Sequence, residues 1–525
     1  MRKIGLIHFL SAIFLLLIWE SPVHSQEIFW IKLTDKHTST LNPYEYFNQK
    51  AIERRIQHQI PLLENSDLPV SETYLNTIQS IADSVYGSSR WLNVVLISAH
   101  QSQLDLISNL KFVQEVCPLS HFKSNLSSFS DQKSEKYEAA RKQQVESLGS
   151  EYLSRLNLKG KGITIAIFDG GFPGVDSHDG LQFLVGNNQI LNTWNFPDNS
   201  TNVYKNDAHG TAVLSCIAGD YYGKPTGLAS DANFLLARTE LKGEPWKEQL
   251  YWIQAAEWAD KNGANIICSS LGYTAEHYFP EEMDGTSPIA VAAKMAFEKG
   301  ILVVNSIGNE GEDAWKILGT PADAEEVLSI GAIDIDTGIK MGFSSFGPNQ
   351  DGIMKPNVMA SGKVLAATSN SWRIMYGTSF SAPLIAGYAA CLWQKYPFLT
   401  NKQIFELVER TANLYPYFDY AHGFGIPNAE NLSSLDKNQE EKPFQYSVKE
   451  RILRVRLPAT NTDNQSILLY FHIANPEGAI SEYKVIKGKP GQLIEIKLRT
   501  STTIQLVRLR AGMFYSQIAI KNDQQ

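Results

Sequence analysis

The chain has little cysteine. Cys117, Cys216, Cys268 and Cys391 are the only four in 525 residues, too few for the disulfide framework that holds small secreted domains together. C-x-x-C and H-x-x-x-H spacings are absent, so no metal-ligand motif is present and no metal is expected. Basic residues are not in excess: 47 Lys and Arg stand against 55 Asp and Glu, for a net charge of −8. That excludes the electrostatic footprint of a nucleic-acid binder. Beyond the first stretch of the chain no apolar run reaches the roughly 18–20 residues that cross a bilayer, so no stable membrane insertion is expected. Cys216 and Cys391 fall in apolar helical runs and Cys268 in the run Ala264–Cys268. This is the setting of small buried hydrophobes, with one bridge between two of them as the alternative.

What is present is apolar material, 43% of the residues, and length for about two to four folding units. Met1-Arg2-Lys3, the apolar Ile4–Trp19 and then Val23-His24-Ser25 read as an export signal over residues 1–25, with Gln26 first after its removal. A retained anchor helix is the alternative, although the span is short for a membrane. Cys117 is the first cysteine, so no lipid-bearing cysteine directly follows the signal. Residues 26–120 read as a small α+β unit, with strands at Phe29–Leu33, Trp91–Ala99 and Phe112–Val116 and helical stretches at Tyr44–His58 and Gln103–Leu110. Residues 121–146 are polar and charged, the composition of a linker. From 147 to 435 apolar strands alternate with helix-like segments, the pattern of a parallel α/β sheet with helices on both faces. A short charged linker, 436–443, leads to a period-two pattern over 444–525, read as a small all-β sandwich.

Within the α/β region four elements carry chemistry. Ile163–Phe168 is a buried-strand run that ends in Asp169-Gly170-Gly171, and open α/β sheets place site residues at strand carboxyl ends. His209-Gly210-Thr211 opens an apolar helical run. Val303–Ser306 is a strand that leads into Gly308-Asn309, whose side-chain amide suits a developing oxyanion. Gly377-Thr378-Ser379-Phe380-Ser381-Ala382-Pro383 sets a serine at the start of a helix, where free N–H groups and the dipole favour negative charge. A serine hydroxyl needs a base to attack, and the base needs an orienting acid. Asp169, His209 and Ser379 supply that set.

The order Asp, His, Ser is the subtilisin order among known triads. With Ser270-Leu271-Gly272 and Gly308-Asn309-Glu310-Gly311, the stretch from about Gly162 to Ala429 resembles the subtilisin-like serine peptidases, in detail those of Bacteroidota. Glu257-Trp258-Ala259-Asp260 and Met283-Asp284-Gly285-Thr286 carry the finer likeness. The resemblance implies a subtilisin-like fold. It implies peptide-bond hydrolysis by Asp169, His209 and Ser379, with Asn309 in the oxyanion hole and no cofactor. By the same resemblance Ser270, Leu271 and Gly272 would pair with an extended substrate, and Gly308 and Gly319 would line the P1 pocket. No carboxylate lies in 305–308 or 317–321, so large apolar P1 residues are expected. The acidic Glu276, Glu281, Glu282 and Asp284 read as a solvated loop, with a structural calcium or a preference for basic side chains as alternatives. Three departures stand out: Gly170 where the family has Ser, Thr or Ala, Ala212 in place of a second His, and Gly227-Leu228-Ala229-Ser230 in place of Gly-Val-Ala-Pro.

The unit at 26–120 resembles subtilase inhibitory propeptides, which makes the chain's own propeptide a partner and puts the maturation cut in 121–146. The end of the chain, Leu509–Tyr515 and Ile518–Lys521, resembles type IX secretion sorting domains. A stabilising or substrate-docking β domain is the alternative. Together these readings imply a secreted serine endopeptidase acting on proteins or peptides. It would sit outside the cell or on the surface of a Gram-negative bacterium, with the periplasm as the other address. Two other functions remain open: a triad-bearing binding or scaffold protein, and a peptidase that processes only itself.

Overall fold

The computed structural model describes residues 27–37, 40–119, 135–435, 442–459, 466–476, 478–498 and 504–520. The expected signal at 1–25, the first half of the 121–146 linker and most of the 436–443 linker lie outside the described residues.

The N-terminal unit is a four-stranded antiparallel sheet in the order β2-β3-β1-β4, formed by β1 (Glu27–Leu33), β2 (Ser84–Ser89), β3 (Val94–Ala99) and β4 (Val113–Leu119). Helix α1 (Gln49–Gln57) buries Ala51 and Ile52 with Phe47 in a cluster of its own, and helices α2 (Glu72–Ile81) and α3 (Gln101–Ser108) cover the sheet. Strand β2 and helix α2 are additions to the elements expected from the sequence: Ser84–Ser89 holds three serines and a glycine and carries no apolar alternation. The Tyr44–His58 stretch breaks at Phe47-Asn48, where the Asn48 side chain caps α1 by accepting from Lys50 N–H.

The second half of the expected linker is a helix, α4 (Glu135–Glu146). Its Ala140, Gln144 and Val145 are buried. Gln144 donates to the Thr226 carbonyl and accepts from Leu365 N–H at 2.7 Å. Most of the polar residues that suggested a linker face outward, while the buried Ala140, Arg141, Gln144 and Val145 dock the helix.

The central sheet has the order β11-β10-β9-β8-β5-β7-β6. Its strands are β5 (Thr164–Asp169), β6 (Ile190–Asn195), β7 (Asn233–Arg238), β8 (Ile266–Ser269), β9 (Leu302–Ser306), β10 (Leu328–Asp334) and β11 (Ile339–Lys340). Strand β12 (Val358–Ser361) also pairs parallel with β10, and only β11 runs antiparallel. Helices α5 (His209–Ala218), α6 (Lys247–Lys261), α7 (Pro288–Glu298) and α8 (Thr378–Lys395) pack on its faces. The apolar side chains form two separate cores, one on each side of the sheet. This is the expected subtilisin-like architecture. Strand register sets where the site can form: Phe168, Ser269 and Asn305 are paired across β5, β8 and β9. The carboxyl ends of these three strands therefore open on one edge. Beyond 442 a three-stranded and a four-stranded antiparallel sheet enclose a core of their own, with Leu453, Phe471 and Leu509 in it.

The N-terminal unit docks on α6 through buried charge. Asp260 pairs with Arg54 and, at 2.7 Å, with Arg55, which also holds Asp67 at 2.8 Å; all four side chains are 0–3% exposed. One turn earlier, Glu257 accepts from Ser89 Oγ at 2.6 Å and from Trp91 N–H at 3.0 Å. The Glu257-Trp258-Ala259-Asp260 motif is thus a docking motif. Asp260→Ala leaves two buried guanidinium groups short of an anion, a change that costs about 3–5 kcal/mol. We expect hydrogen exchange in α1 to rise by about a hundredfold or more in the intact chain, while β5, β8 and β9 stay protected. Unchanged exchange in α1 refutes this account of the interface.

Candidate active site

Strand β5 carries its apolar run to the sheet edge and ends on Asp169, which is fully buried. Asp169 Oδ1 accepts the Gly170 N–H at 2.8 Å, and the carboxylate faces His209 Nδ1 at 3.0 and 3.1 Å. His209 opens α5, its N–H donating to Asp207 at 2.9 Å and its ring lying 5.3 Å from that of Phe380. Burial pulls the His209 pKa down, but the charge and hydrogen bond of Asp169, with Asp207 behind, outweigh it and hold the imidazole above its ordinary value.

Ser379 is the second residue of α8, in the first turn, where N–H groups have no intrahelical acceptor. Pro383, four residues on, has no N–H, so the Ser379 carbonyl lacks its helical donor. Ser270 Oγ supplies one at 2.7 Å, and in return Ser379 Oγ donates to the Ser270 carbonyl at 3.2 Å. Among the described residues Ser379 makes no hydrogen bond to His209. The hydroxyl is turned toward Ser270, and Phe380, which follows Ser379, has its ring 5.3 Å from that of His209.

Asn309 is held by its oxygen. Its Oδ1 accepts from Thr378 N–H at 2.9 Å and Thr378 Oγ1 at 3.0 Å, which fixes the orientation of the amide. Gly308 has φ +117°, a backbone region closed to side chains. A Cβ there would run into the Glu310 carboxylate. That carboxylate accepts from Ser345 Oγ at 2.8 Å, and burial raises its pKa. Gly319 N–H bonds to the Ile307 carbonyl at 3.3 Å, which brings Gly319 beside Gly308. A side chain at Gly319 would meet Thr274, whose hydroxyl donates to Glu276 at 3.0 Å. The two windows expected to be free of carboxylates thus lie beside Glu310 and Glu276, which the short windows did not contain. Gly272 is open to solvent at its Cβ position, whereas Leu271 is buried and its carbonyl is taken by Asn305 at 2.8 Å. Of the acidic loop, Glu282 accepts from Phe279 N–H and Asp284 from Thr286 N–H, local capping bonds that suit a solvated loop.

Sequence reasoning missed Glu240. It follows β7, and one oxygen of each carboxyl together with a ring nitrogen of His209 lie within 4.8 Å of one another in the set Asp169, His209, Glu240. The only sequence signal was indirect, the departure at Gly170.

A mostly parallel α/β sheet with an acid–imidazole pair at a strand end and a serine at the head of a helix is the layout expected of a serine hydrolase of the α/β type. Residues 160–425 match the subtilase family model, and residues 28–139 match the Peptidase S8 propeptide domain of Bacteroidota. The chain belongs to the subtilase family of serine-type endopeptidases. It is 28% identical to serine protease AprX of Bacillus subtilis over 306 residues, 52% of this chain and 66% of that protein. It is 30% identical to subtilisin DY of Bacillus licheniformis over 279 residues, 52% of this chain and 91% of that one. Its fold is similar to that of fervidolysin from Fervidobacterium pennivorans, described as a keratinolytic enzyme related to subtilisin. The TM-score is 0.56 at 18% identity, covering 92% of this chain and 70% of the other. No helix among the described residues is long and apolar enough to cross a membrane.

The imidazole of His209 should titrate above its ordinary value of about 6.5, read from its ring signals by magnetic resonance in the full chain. Because the folded value is the higher one, the pair's contribution to stability is complete below the unfolded value and fades as pH rises through the folded value. Asp169→Asn should lower the His209 pKa and remove that pH dependence. A titration midpoint unmoved by Asp169→Asn means that another group sets it.

Proposed function

We propose that the chain is the precursor of a secreted serine endopeptidase that cleaves proteins or peptides. The observation that carries this reading is the Asp169–His209 pair next to Ser379 at the head of α8. Nδ1 of His209 is committed to Asp169, so Nε2 is the nitrogen left to act as base. The Ser379 hydroxyl rotates from the Ser270 carbonyl toward Nε2, gives up its proton and attacks the substrate carbonyl; His209 then returns the proton to the leaving amine. Asp169 holds the tautomer and stabilises the imidazolium. Asn309 Nδ2 and the Ser379 N–H donate to the oxyanion, and the Thr378 clasp on Oδ1 fixes that amide before any charge develops. No cofactor takes part.

Ser270 and Gly272 offer an edge for an extended substrate, with Leu271 as its inward anchor. Gly308 and Gly319 line the P1 pocket. Glu310 and Glu276 beside them lead us to replace the expectation of an apolar P1 residue by acceptance of Lys or Arg as well. The N-terminal unit acts as an inhibitory propeptide, the maturation cut falls between 121 and 134, and the protein works outside the cell, with the C-terminal β domain as a sorting or docking module. Type IX secretion is the candidate route.

Ser379→Ala should abolish hydrolysis of casein and labelling by a fluorophosphonate, and the full-length chain should stay uncut at 121–134 by N-terminal sequencing. A protein that is labelled but spares casein is a peptidase for itself alone. A wild-type protein that is not labelled is a binding or scaffold protein. Asn309→Ala should lower kcat by about 10²–10³ with little change in KM, because its bond forms in the transition state; the magnitude is that known for the same donor in subtilisin. A change confined to KM assigns Asn309 to ground-state binding.

A further inference from the structure

Glu240 stands beside Asp169 and His209, and one of its carboxyl oxygens has no hydrogen-bond partner among the described residues. Its N–H reaches toward the Asp169 carbonyl at 3.5 Å, its carboxyl lies within the 4.8 Å set with Asp169 and His209, and its Oε1 is sealed from solvent with no hydrogen bond. The charged groups around it are nearly all acidic. Asp169 and Asp207 stand at the head of the pair, and Glu244 and Glu248 follow on the loop and helix after β7. The nearby cation, Arg238, is turned elsewhere: its Nε donates to the Gly170 carbonyl at 3.1 Å, and its Nη1 reaches Asn195 at 3.1 Å and Asp198 at 3.6 Å. Glu240 is half-buried, and an ionised carboxylate here would have one oxygen desolvated and unpaired and would stand next to a second anion. A proton on Glu240 removes all three penalties.

The departure at Gly170 belongs to the same arrangement. A Cβ at 170 would lie 3.1 Å from the Asp207 Cβ and 3.6 Å from Glu240 Oε2. Where the family sets Ser, Thr or Ala after the triad acid, this chain sets no side chain, and the Glu240 carboxyl lies over the vacant space.

We propose that Glu240 serves the reaction as a neutral carboxylic acid, a positioning residue that keeps Asp169 the single buried anion facing His209. The proposal rests on the triad reading above. Burial, then Asp169, Glu248, Asp207 and Glu244, push its pKa well above the carboxylate range, in keeping with that state. If Glu240 ionised, its proton would pass to solvent and a second carboxylate would stand beside His209. The imidazolium would then hold its proton more tightly, and its transfer to the leaving amine would slow.

Infrared difference spectra test the protonation state in the full chain. Subtracting Ser379→Ala/Glu240→Gln from Ser379→Ala at neutral pH should leave the carbonyl stretch of one neutral carboxylic acid; other protonated acids cancel. A carboxylate band in its place overturns the proposal. This reading needs no turnover, so it holds or fails independently of whether Ser379 is the nucleophile, which fluorophosphonate labelling decides. In the active protein Glu240→Ala should lower kcat by about tenfold with KM little changed. Glu240→Gln, neutral and of the same size, should recover most of that loss with the acid limb of the pH profile in its original place. A limb lowered by about one pKa unit in Glu240→Gln would mean that Glu240 is ionised in the working enzyme, and wild-type kcat in Glu240→Ala would mean that it positions nothing.

Discussion

A carboxylate buried at the end of an apolar strand is the constraint on which the rest of this structure depends. Asp169 has no exposure to water, so every partner must come from the protein. The Gly170 N–H and the His209 ring supply direct bonds. The His209 ring can reach Asp169 only because α5 begins beside the loop after β5, and Gly210 allows that approach: a side chain there would press on the Asp169 Cβ at 2.9 Å. The surrounding acids must then be spread, bonded or protonated. Asp207 is bonded to the His209 N–H, and Glu248 to Leu241 N–H and the Tyr273 hydroxyl.

A second set of contacts joins elements far apart in the chain by satisfying groups that their own segments leave open. Pro383 deprives the Ser379 carbonyl of a donor, and Ser270, 109 residues away, provides it. Thr378 at the helix start donates to Asn309, 69 residues earlier. Two short motifs that look independent are therefore the two halves of one hydrogen-bonded unit. The same holds at the N-terminal unit, where Asp260 of α6 meets Arg54 and Arg55, 206 and 205 residues before it. A carboxylate on an otherwise apolar helix face is a poor packing residue until its partner arrives, and this is why Glu257 and Asp260 sit on the face of α6 that turns toward that unit.

Much of the site was legible because its residues lie at the ends of strongly patterned segments. The run Ile163–Phe168 is apolar on both faces, which only a strand buried on both sides tolerates, and its end marks Asp169. The helix that begins at His209 and the one that holds Ser379 are nearly continuous in apolar and small residues. Less was legible where pattern was weak. Ser84–Ser89 forms a strand because β3 is there to pair with it, and Glu135–Glu146 is a mostly polar helix seated by Ala140, Gln144 and Val145. Glu310 lies against Gly308, and Glu276 is bonded to Thr274 beside Gly319, so windows drawn tightly around Gly308 and Gly319 did not contain them.

The sequence by itself determined the alternation of layers, the chemical identity of the acid, the imidazole, the amide and the serine, and the strand or helix end on which each one stands. These arise from the local periodicity of apolar residues and from glycine and proline, whose effects reach only a few positions along the chain. The tertiary structure alone decided which groups share a volume: Glu240 with the Asp169–His209 pair, Ser379 turned toward Ser270, and Arg54 and Arg55 on Asp260. The physical reason is register. Parallel strands are joined by long crossovers, and which ends align is set by cross-sheet hydrogen bonds and two-sided core packing rather than by any neighbouring residue.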